Sequence, residues 1–469
     1  MNTIIGMEVH CQLATKSKLF CGDSTTSKDA GPNINVCPTC LGFPGSKPKV
    51  NKRALDFGVM VALALNCKIN ANMFFSRKSY FYPDLSKNFQ ITQYEIPLAV
   101  SGYLEINNKK IRIRRVHIEE DPAKLNHVGG DITSAKYVLA DYNRAGVPLL
   151  EIVTEPDFES PKEVREFLEK LSSILEHLEV YDSSWDAALR VDANISMEGS
   201  ERIEIKNITG FRDTERALAH EVIRQRGILR MGMKIQRETR HFDAERRVTK
   251  SLRKKEFEED YGYIFEPDLT KIEISKEWIE QLKKEMPELP DHRANRLVKE
   301  YGIDEYEAKV IIYTDKHLAD FFEHSCKIYK NYKEVAKWMI TYLLKSLNWH
   351  EISIRESKAR PETFVELLEM IDKNVITERL AKEIIKDYID TGKSPKQIVK
   401  EKGLEGFKSI DLDDVIKRVI DENTKAVSEY KSGREKALEY LIGKVLEKTK
   451  KAADPKKIRE MILKSLQMI

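Results

Sequence analysis

The stretch Gly6-Met7-Glu8-Val9-His10-Cys11-Gln12-Leu13 alternates apolar with polar side chains without a break. A period of two is the pattern of a strand with one buried face. Met7, Val9, Cys11 and Leu13 fall on one side; Glu8, His10 and Gln12 fall on the other. The polar side therefore offers a carboxylate and an imidazole two residues apart. Hard divalent cations favour oxygen ligands, and an imidazole can complete such a site. A half-exposed strand with an incidental ion pair fits these eight residues as well. The remaining acids must decide between them.

Strand patterns recur at Gly102–Ile106, Ile111–Glu119, Pro148–Val153, Arg190–Met197 and Arg202–Asn207. Most alternate apolar with charged, as antiparallel strands with one wet face do. Helical patterns lie between them, at Lys52–Leu65, Ser160–Leu178 and Asp213–Met231. The second has Ser160 as N-cap, Pro161 at the first helical position and Glu163 at the third. Around Met286–His292 two prolines and two acids break the pattern. Strand signals nearly vanish after Arg293, and amphipathic helices follow at Ala294–Tyr301, Asp304–Thr314, Lys316–Tyr329, Tyr332–Ser346, Pro361–Lys373, Thr377–Thr391 and Pro395–Lys402. A further shift comes near Gly403–Ser409, before a small helical unit that includes Glu435–Thr449. Thr391-Gly-Lys-Ser-Pro395 superficially resembles a phosphate loop but lacks the upstream glycine and lies between helices, so it is set aside.

The acids are spread one to a strand. Arg112–Glu119 runs into Glu119-Glu120-Asp121, three adjacent acids whose repulsion calls for a cation. Glu151 interrupts the apolar run Pro148–Val153, and Asp192 and Glu204 repeat the theme. If these strands form one sheet, Glu8, His10, Glu119, Glu120, Glu151, Asp192 and Glu204 line its polar face. Such a floor suits Mg²⁺ and a nucleotide polyphosphate. Arg77, Lys78, Arg144, Arg190, Lys206 and Arg240 are cations available for the phosphates. The alternative is a salt-bridged polar face with no ligand.

Two loops stand out. Arg77–Asp84, continuing through Lys87–Gln93, interleaves bases, aromatics and amides. It suits stacking on a nucleobase, or a core-closing hairpin with buried tyrosines. Cys21 and Cys37-Pro-Thr-Cys40 sit in a Gly/Pro-rich region with a C-x-x-C spacing, which points to structural zinc rather than a strand–helix redox site. The fourth ligand is Asp23 or Cys11, and strand parity turns Cys11 toward the buried side.

At 469 residues the chain exceeds one small domain. Its net charge of +3 excludes a generic polyanion binder, but Lys431–Ile469 carries 11 basic against 5 acidic residues. That surplus marks a tail that meets a polyanion, or a helical cap with an ordinary basic surface. Neither a bilayer-spanning apolar run nor a signal-peptide layout is present, so a cytoplasmic protein is expected, with no membrane and no DNA among its partners.

These stretches together closely resemble the GatB family, the B subunits of aspartyl/glutamyl-tRNA amidotransferases. The likeness is carried by Ile5–His10, Ser17–Cys21, Pro32-Asn33, Cys37–Gly42, Arg77–Asp84, His117–Asp121, Asn143–Asp157, Asp192–Asn194, Glu204–Asn207 and Glu238–Arg240, and extends from end to end. It implies an α+β architecture: a glutamine-synthetase-like cradle with an antiparallel sheet at residues 1–293, an all-α helical domain at 294–405, and a small all-α, YqeY-like, tRNA-binding tail at 406–469. It implies a ligase forming carbon–nitrogen bonds with glutamine as amido donor. ATP would phosphorylate the side-chain carboxylate of misacylated Asp-tRNA(Asn) or Glu-tRNA(Gln), and ammonia from a partner amidase (the family's A subunit) would displace the phosphate. The small C subunit would tie the two large ones into a heterotrimer. The family's Mg²⁺ ligands fall on Glu8, His10, Glu120 and Glu151, with Glu119, Asp192 and Glu204 nearby; Glu8, His10, Glu120 and Lys78 would be catalytic. From the residues themselves, ATP is expected on Arg77, Lys78, Arg144, Arg190 and Lys206, and zinc on Cys21, Asp23, Cys37 and Cys40; the alternatives are Cys11 as fourth ligand or a zinc site weakened or lost. The chain departs from the family at Cys21-Gly-Asp23, where zinc-binding members have C-x-C, at Asp121-Pro-Ala-Lys124, and at Ala187-Ala188. A tRNA-binding scaffold without kinase chemistry, and a free-standing ligase using external ammonia, are the competing functions.

Overall fold

The alternation of the first strand puts it at the centre of the molecule's main sheet. In the computed structural model, which describes residues 2–26, 30–129, 135–185, 187–254, 261–402, 412–448 and 455–467, Thr3–Gln12 is the fifth of nine strands. In spatial order these are Val248–Lys254, Glu238–Asp243, Ile203–Thr209, Leu189–Met197, Thr3–Gln12, Pro148–Thr154, Lys109–Glu120, Ala99–Ile106 and Lys68–Ile69. Neighbours run antiparallel, except that Ile203–Thr209 and Glu238–Asp243 are parallel.

One face of the sheet is apolar and closed. Met7, Val9, Cys11, Val116, Ile118, Leu150, Ile152, Val191, Ala193 and Ile205 share one core with residues of the helices Lys52–Ala64 and Pro161–His177. The latter starts as expected: Glu163 N donates to Ser160 Oγ at 3.3 Å, satisfying one of the free N–H groups of the first turn. Burial of this face fixes register, because a one-residue slip would exchange the two faces of a strand.

The strand segments expected from sequence are present, each within a few residues of its expected ends. Others were not expected. Glu238–Asp243 and Val248–Lys254 carry so many charges that no apolar stripe shows. Their polar groups are satisfied by one another and by the helix Phe211–Arg230. Glu221 on that helix is fully buried. It accepts from Arg224 at 2.8 Å, from Arg240 at 3.0 Å, from Gln225 at 3.1 Å and from Thr249. Arg240, counted above among cations for phosphate, is thus taken by Glu221 and by Glu238. The pair Ser76–Ser79 and Phe89–Thr92 forms a small sheet with Gly262–Phe265. The hairpin between the first two does not close a core: Phe81 is 88% exposed at its tip.

The chain divides into two compact units, Met1–Pro290 and Asp291–Ile469. Among the described residues the second holds helices and no strand. One core gathers Trp338, Phe322, Phe364 and Tyr388; another gathers Ile416, Val419, Leu441, Val445, Ile458 and Ile462. The expected boundary between helical and tail domains, at 405/406, lies outside the described residues. The single helix expected over Tyr332–Ser346 is instead Tyr332–Trp338, a π segment at Met339–Leu343, and Leu344–Trp349. The wider turn keeps Trp338, Met339, Leu343 and Leu347 all on the buried side.

Breaking a buried ion cluster by removing one partner is strongly destabilising. Glu221→Ala is therefore expected to cost about 3–5 kcal/mol, read as a lower unfolding midpoint of the first unit. Burial raises the Glu221 pKa, but Arg224 and Thr249 outweigh it and hold the group below the usual carboxylate range. Its contribution is present above the unfolded-state value of about 4.3 and is lost as pH falls through the lower folded value. The midpoint difference between wild type and Glu221→Ala should shrink between about pH 6 and pH 3; a constant difference would contradict this.

Candidate functional site: the polar face of the sheet

Register decides which side chains meet. Across the central strand, His10 lies opposite Glu151 on one side and Arg190 on the other, and Glu8 lies opposite Asp192. One strand further, Glu151 lies opposite His117. His10 Nε2 is 3.9 Å from Glu119 Oε1 and 4.0 Å from Glu151 Oε2. His117, buried, contacts Glu151 Oε2 at 2.6 Å and Glu119 Oε2 at 3.6 Å. Thr92 Oγ1 donates to Glu119 at 3.1 Å. His10, Glu119 and Glu151 converge closely enough for one cation to touch all three.

The charges around this point are unbalanced. Burial lifts the Glu8 pKa, and Glu151, Asp192 and Glu204 lift it further. Burial opposes ionisation of Glu151, yet His117 holds it well below the carboxylate range. In return His117, despite its burial, is pushed up to about 9 by Glu151 and Glu119. Lys206 is 3.8 Å from Asp192 and 4.0 Å from Glu204. Its burial favours the neutral amine, but Asp192, Glu204 and Glu8 shift it upward. Glu8 is thus left among acids with its charge disfavoured, and a divalent cation is the natural remedy. The imidazole and carboxylate oxygens are a donor set that fits Mg²⁺ or Mn²⁺.

Not every expected residue joins this group. Glu120 shares the parity of the core residue Ile118, one step out of phase with Glu119. Its Oε1 accepts from Lys87 at 2.5 Å and from Ile91 N at 2.8 Å. Arg190 and Arg144 are held by the buried Asp121, at 2.7 and 3.6 Å. They keep that acid below its usual range against the opposing effect of burial. Arg77 chelates Glu266 through Nε and Nη2, at 2.7 and 2.8 Å. Lys78 stands over the Tyr261 ring at 4.7 Å. Among the expected phosphate ligands, Lys206 is the one that contacts the central acids. His117, Thr92 and Asn194 belong to the site although the sequence did not single them out for it; Asn194 Nδ2 donates to Glu8 at 3.2 Å. His117 carried a signal, since it shares the parity of Glu119. Thr92 reaches the site from the small sheet, and Lys87, just before that sheet's strand Phe89–Thr92, holds Glu120 beside it; no local pattern announces either contact.

The second candidate centre lies in the cysteine loop. Cys40 Sγ is 3.5 Å from Cys21 Sγ, 3.8 Å from Cys37 Sγ and 3.1 Å from Asp23 Oδ2. Ligands about 2.3 Å from a tetrahedral zinc stand roughly 3.7 Å apart, so three sulfurs and one oxygen at these separations fit that ion. Cys11 lies instead in the closed core, fully buried. The Cys21 thiol is held up by Cys40, while Cys40 is brought down to about 6 by its contact with Cys21 and, further, by Cys37 and Lys18.

A family model described as the GatB/GatE catalytic domain matches residues 3–280, and one described as the GatB domain matches residues 320–466. Curated relatives, each named as the B subunit of an aspartyl/glutamyl-tRNA(Asn/Gln) amidotransferase, align over nearly the whole chain. That of Saccharolobus solfataricus is 48% identical, covering 98% of this chain and 99% of its own. That of Sulfurisphaera tokodaii is likewise 48% identical, with the same coverage. That of Thermotoga maritima is 45% identical, covering 99% of this chain and 98% of its own.

The polar face should bind a divalent cation in the absence of nucleotide. Mn²⁺ titration followed by electron paramagnetic resonance is expected to show a site in wild type whose affinity falls about 10–100-fold in Glu151→Gln. Equal affinity in the two proteins would remove Glu151 from the ligand set.

Proposed function

The chain belongs to the GatB family, and on that premise we propose that it is the component of a tRNA amidotransferase that phosphorylates and amidates the side-chain carboxylate of misacylated Asp-tRNA(Asn) or Glu-tRNA(Gln). It acts in the cytoplasm as a glutamine-dependent carbon–nitrogen ligase. Its partners are tRNA, an amidase that supplies ammonia, and a small third protein that ties the two large ones together. The observation that carries this reading is the convergence of His10, Glu119 and Glu151 beside Glu8 and Asp192 on one face of a rigid sheet.

A carboxylate is a poor acyl donor because its oxygen is a poor leaving group. The carboxylate oxygen of the aminoacyl ester attacks the γ-phosphorus of ATP, and the bond to ADP breaks. Ammonia then attacks the acyl carbon, inorganic phosphate leaves and a proton is lost. A bound Mg²⁺ offsets the charge that gathers as carboxylate and polyphosphate meet. His10, Glu119 and Glu151 would hold it, with Glu8 completing the acidic side. His117 fixes the orientation of Glu151 through a 2.6 Å contact. Lys206, beside Asp192 and Glu204, is placed to meet a phosphate oxygen. Arg190 and Arg144 brace the strand end through Asp121 rather than meeting phosphate unaided. Glu120, paired with Lys87, acts in our reading as the anchor of the small sheet.

We assign the sheet unit to a cradle of glutamine-synthetase-like fold, the helices after it to a connecting domain, and residues 406–469 to a tRNA-binding tail. Cys21, Asp23, Cys37 and Cys40 hold a structural zinc.

In the assembled complex, Glu8→Ala and Glu119→Gln should each lower amide formation by at least about a hundredfold, with tRNA affinity within about twofold of wild type. Transamidation at the wild-type rate would leave the scaffold reading in its place. Deleting Gly406–Ile469 should weaken tRNA binding and flatten its dependence on salt, because phosphate contacts release counterions. An unchanged salt slope would place the tRNA contacts elsewhere.

A further inference from the structure

A fully buried lysine sits against the cysteine cluster. Lys18 is 0% exposed. Its Nζ donates to Cys40 Sγ at 3.3 Å, to the Asn35 carbonyl at 2.7 Å and to the Tyr142 carbonyl at 3.4 Å. A buried ammonium is expensive unless its three hydrogens find acceptors and its charge finds a partner. Both carbonyls are neutral, so the charge partner is the Cys/Asp cluster itself, where Asp23 also feels the ammonium.

The surroundings hold this lysine in place. Gly146 has φ +86°, and a Cβ there would lie 3.4 Å from Lys18 Cδ. The turn at Gly146 therefore packs directly against the lysine stem. Lys18 N donates to the Asp23 carbonyl at 2.9 Å, and Leu19 N donates to the Gly146 carbonyl at 2.8 Å. The backbone that carries Lys18 is therefore bonded both to the ligand loop and to the turn that faces its stem. The three acceptors of the ammonium come from three segments: the approach to the C-x-x-C turn, the turn itself, and the Tyr142 segment.

We propose that Lys18 is the internal counter-ion of the zinc cluster, a positioning residue that offsets its charge and sets how tightly the metal is held. The inference rests on the zinc reading given above. Three thiolates and one carboxylate around a divalent zinc leave the cluster doubly negative. One adjacent ammonium halves that charge, and its hydrogen bond to Cys40 draws electron density from the sulfur. The thiolate is then less basic, so less easily lost to a proton, and less open to an electrophile. Partners of this kind typically change metal affinity about 10–100-fold. The carboxylate makes such help more necessary. A fourth sulfur shares charge with zinc more completely than a carboxylate does, so the oxygen ligand leaves more negative charge uncompensated.

The test uses the full-length chain. Zinc content is measured in wild type, Lys18→Met, Lys18→Gln and Lys18→Arg, followed by the rate of zinc transfer to a chromophoric chelator and the thiolate charge-transfer band after cobalt substitution. Wild type and Lys18→Arg are expected to carry one zinc per chain and to release it at similar rates. Lys18→Met is expected to release zinc about 10–100-fold faster, with a shifted cobalt band. If Lys18→Met does not fold, Lys18→Gln supplies the reading, because it removes the charge while keeping an N–H donor on a stem one atom shorter; it too should release zinc faster. Release from the neutral variants at the wild-type rate, with an unshifted band, would overturn the counter-ion role while leaving the zinc site standing. A wild-type protein that binds neither zinc nor cobalt would overturn both.

Discussion

Everything at the centre of the first unit depends on the register between Thr3–Gln12 and its two neighbours. That register sets His10 beside Glu151 and Glu8 beside Asp192. It holds because the opposite face of the same strand is closed by Met7, Val9 and Cys11, none more than 1% exposed. A slip by one residue would bury Glu8 and His10 in hydrocarbon and expose the apolar row, a penalty of several kcal/mol for each misplaced charge. The apolar core is therefore what aligns the acids. Burial first, and then the neighbouring Glu151, Asp192 and Glu204, raise the Glu8 pKa, yet the strands cannot separate to relieve the repulsion.

This division of labour explains what could be read in the sequence. Strict alternation revealed Thr3–Gln12, Lys109–Glu120 and Leu189–Met197, because burial on one face leaves a period of two. Glu238–Asp243 and Val248–Lys254 were not legible. Their polar residues are satisfied by Glu221 on a helix, a contact between distant segments that no local window contains. Lys87 and Thr92 were missed for the same reason. They come from a strand of four residues or its approach, and they reach the large sheet through tertiary packing alone.

The adjacent pair Glu119-Glu120 shows how far parity could have been pressed. Neighbouring residues of a strand point to opposite faces. With Ile118 in the core, Glu120 follows it and Glu119 does not. Grouping both acids as ligands of one ion overrides that rule, and the structure keeps it: Glu119 meets His10 and His117, while Glu120 meets Lys87 and a backbone amide. The same rule, applied to Cys11, correctly removed it from the cysteine cluster.

The two candidate metal centres handle excess negative charge differently, and the contrast follows from what each must do. In the cysteine loop every donor is spoken for. Three sulfurs and one carboxylate close around a point, and a buried lysine stands against one sulfur. A closed donor set of this kind would suit a structural ion that ties the Cys21–Asp23 segment to the short helix Pro38–Leu41. On the sheet, His117 and Lys206 compensate the acids only in part, and Glu8 remains disfavoured as an anion. A site that neutralised itself completely would gain little from a cation and a polyphosphate. On the proposed reading, an acidic surplus held on a rigid strand would favour a divalent cation, and through it a polyphosphate, while the apolar face behind it prevents the sheet from relaxing that surplus away.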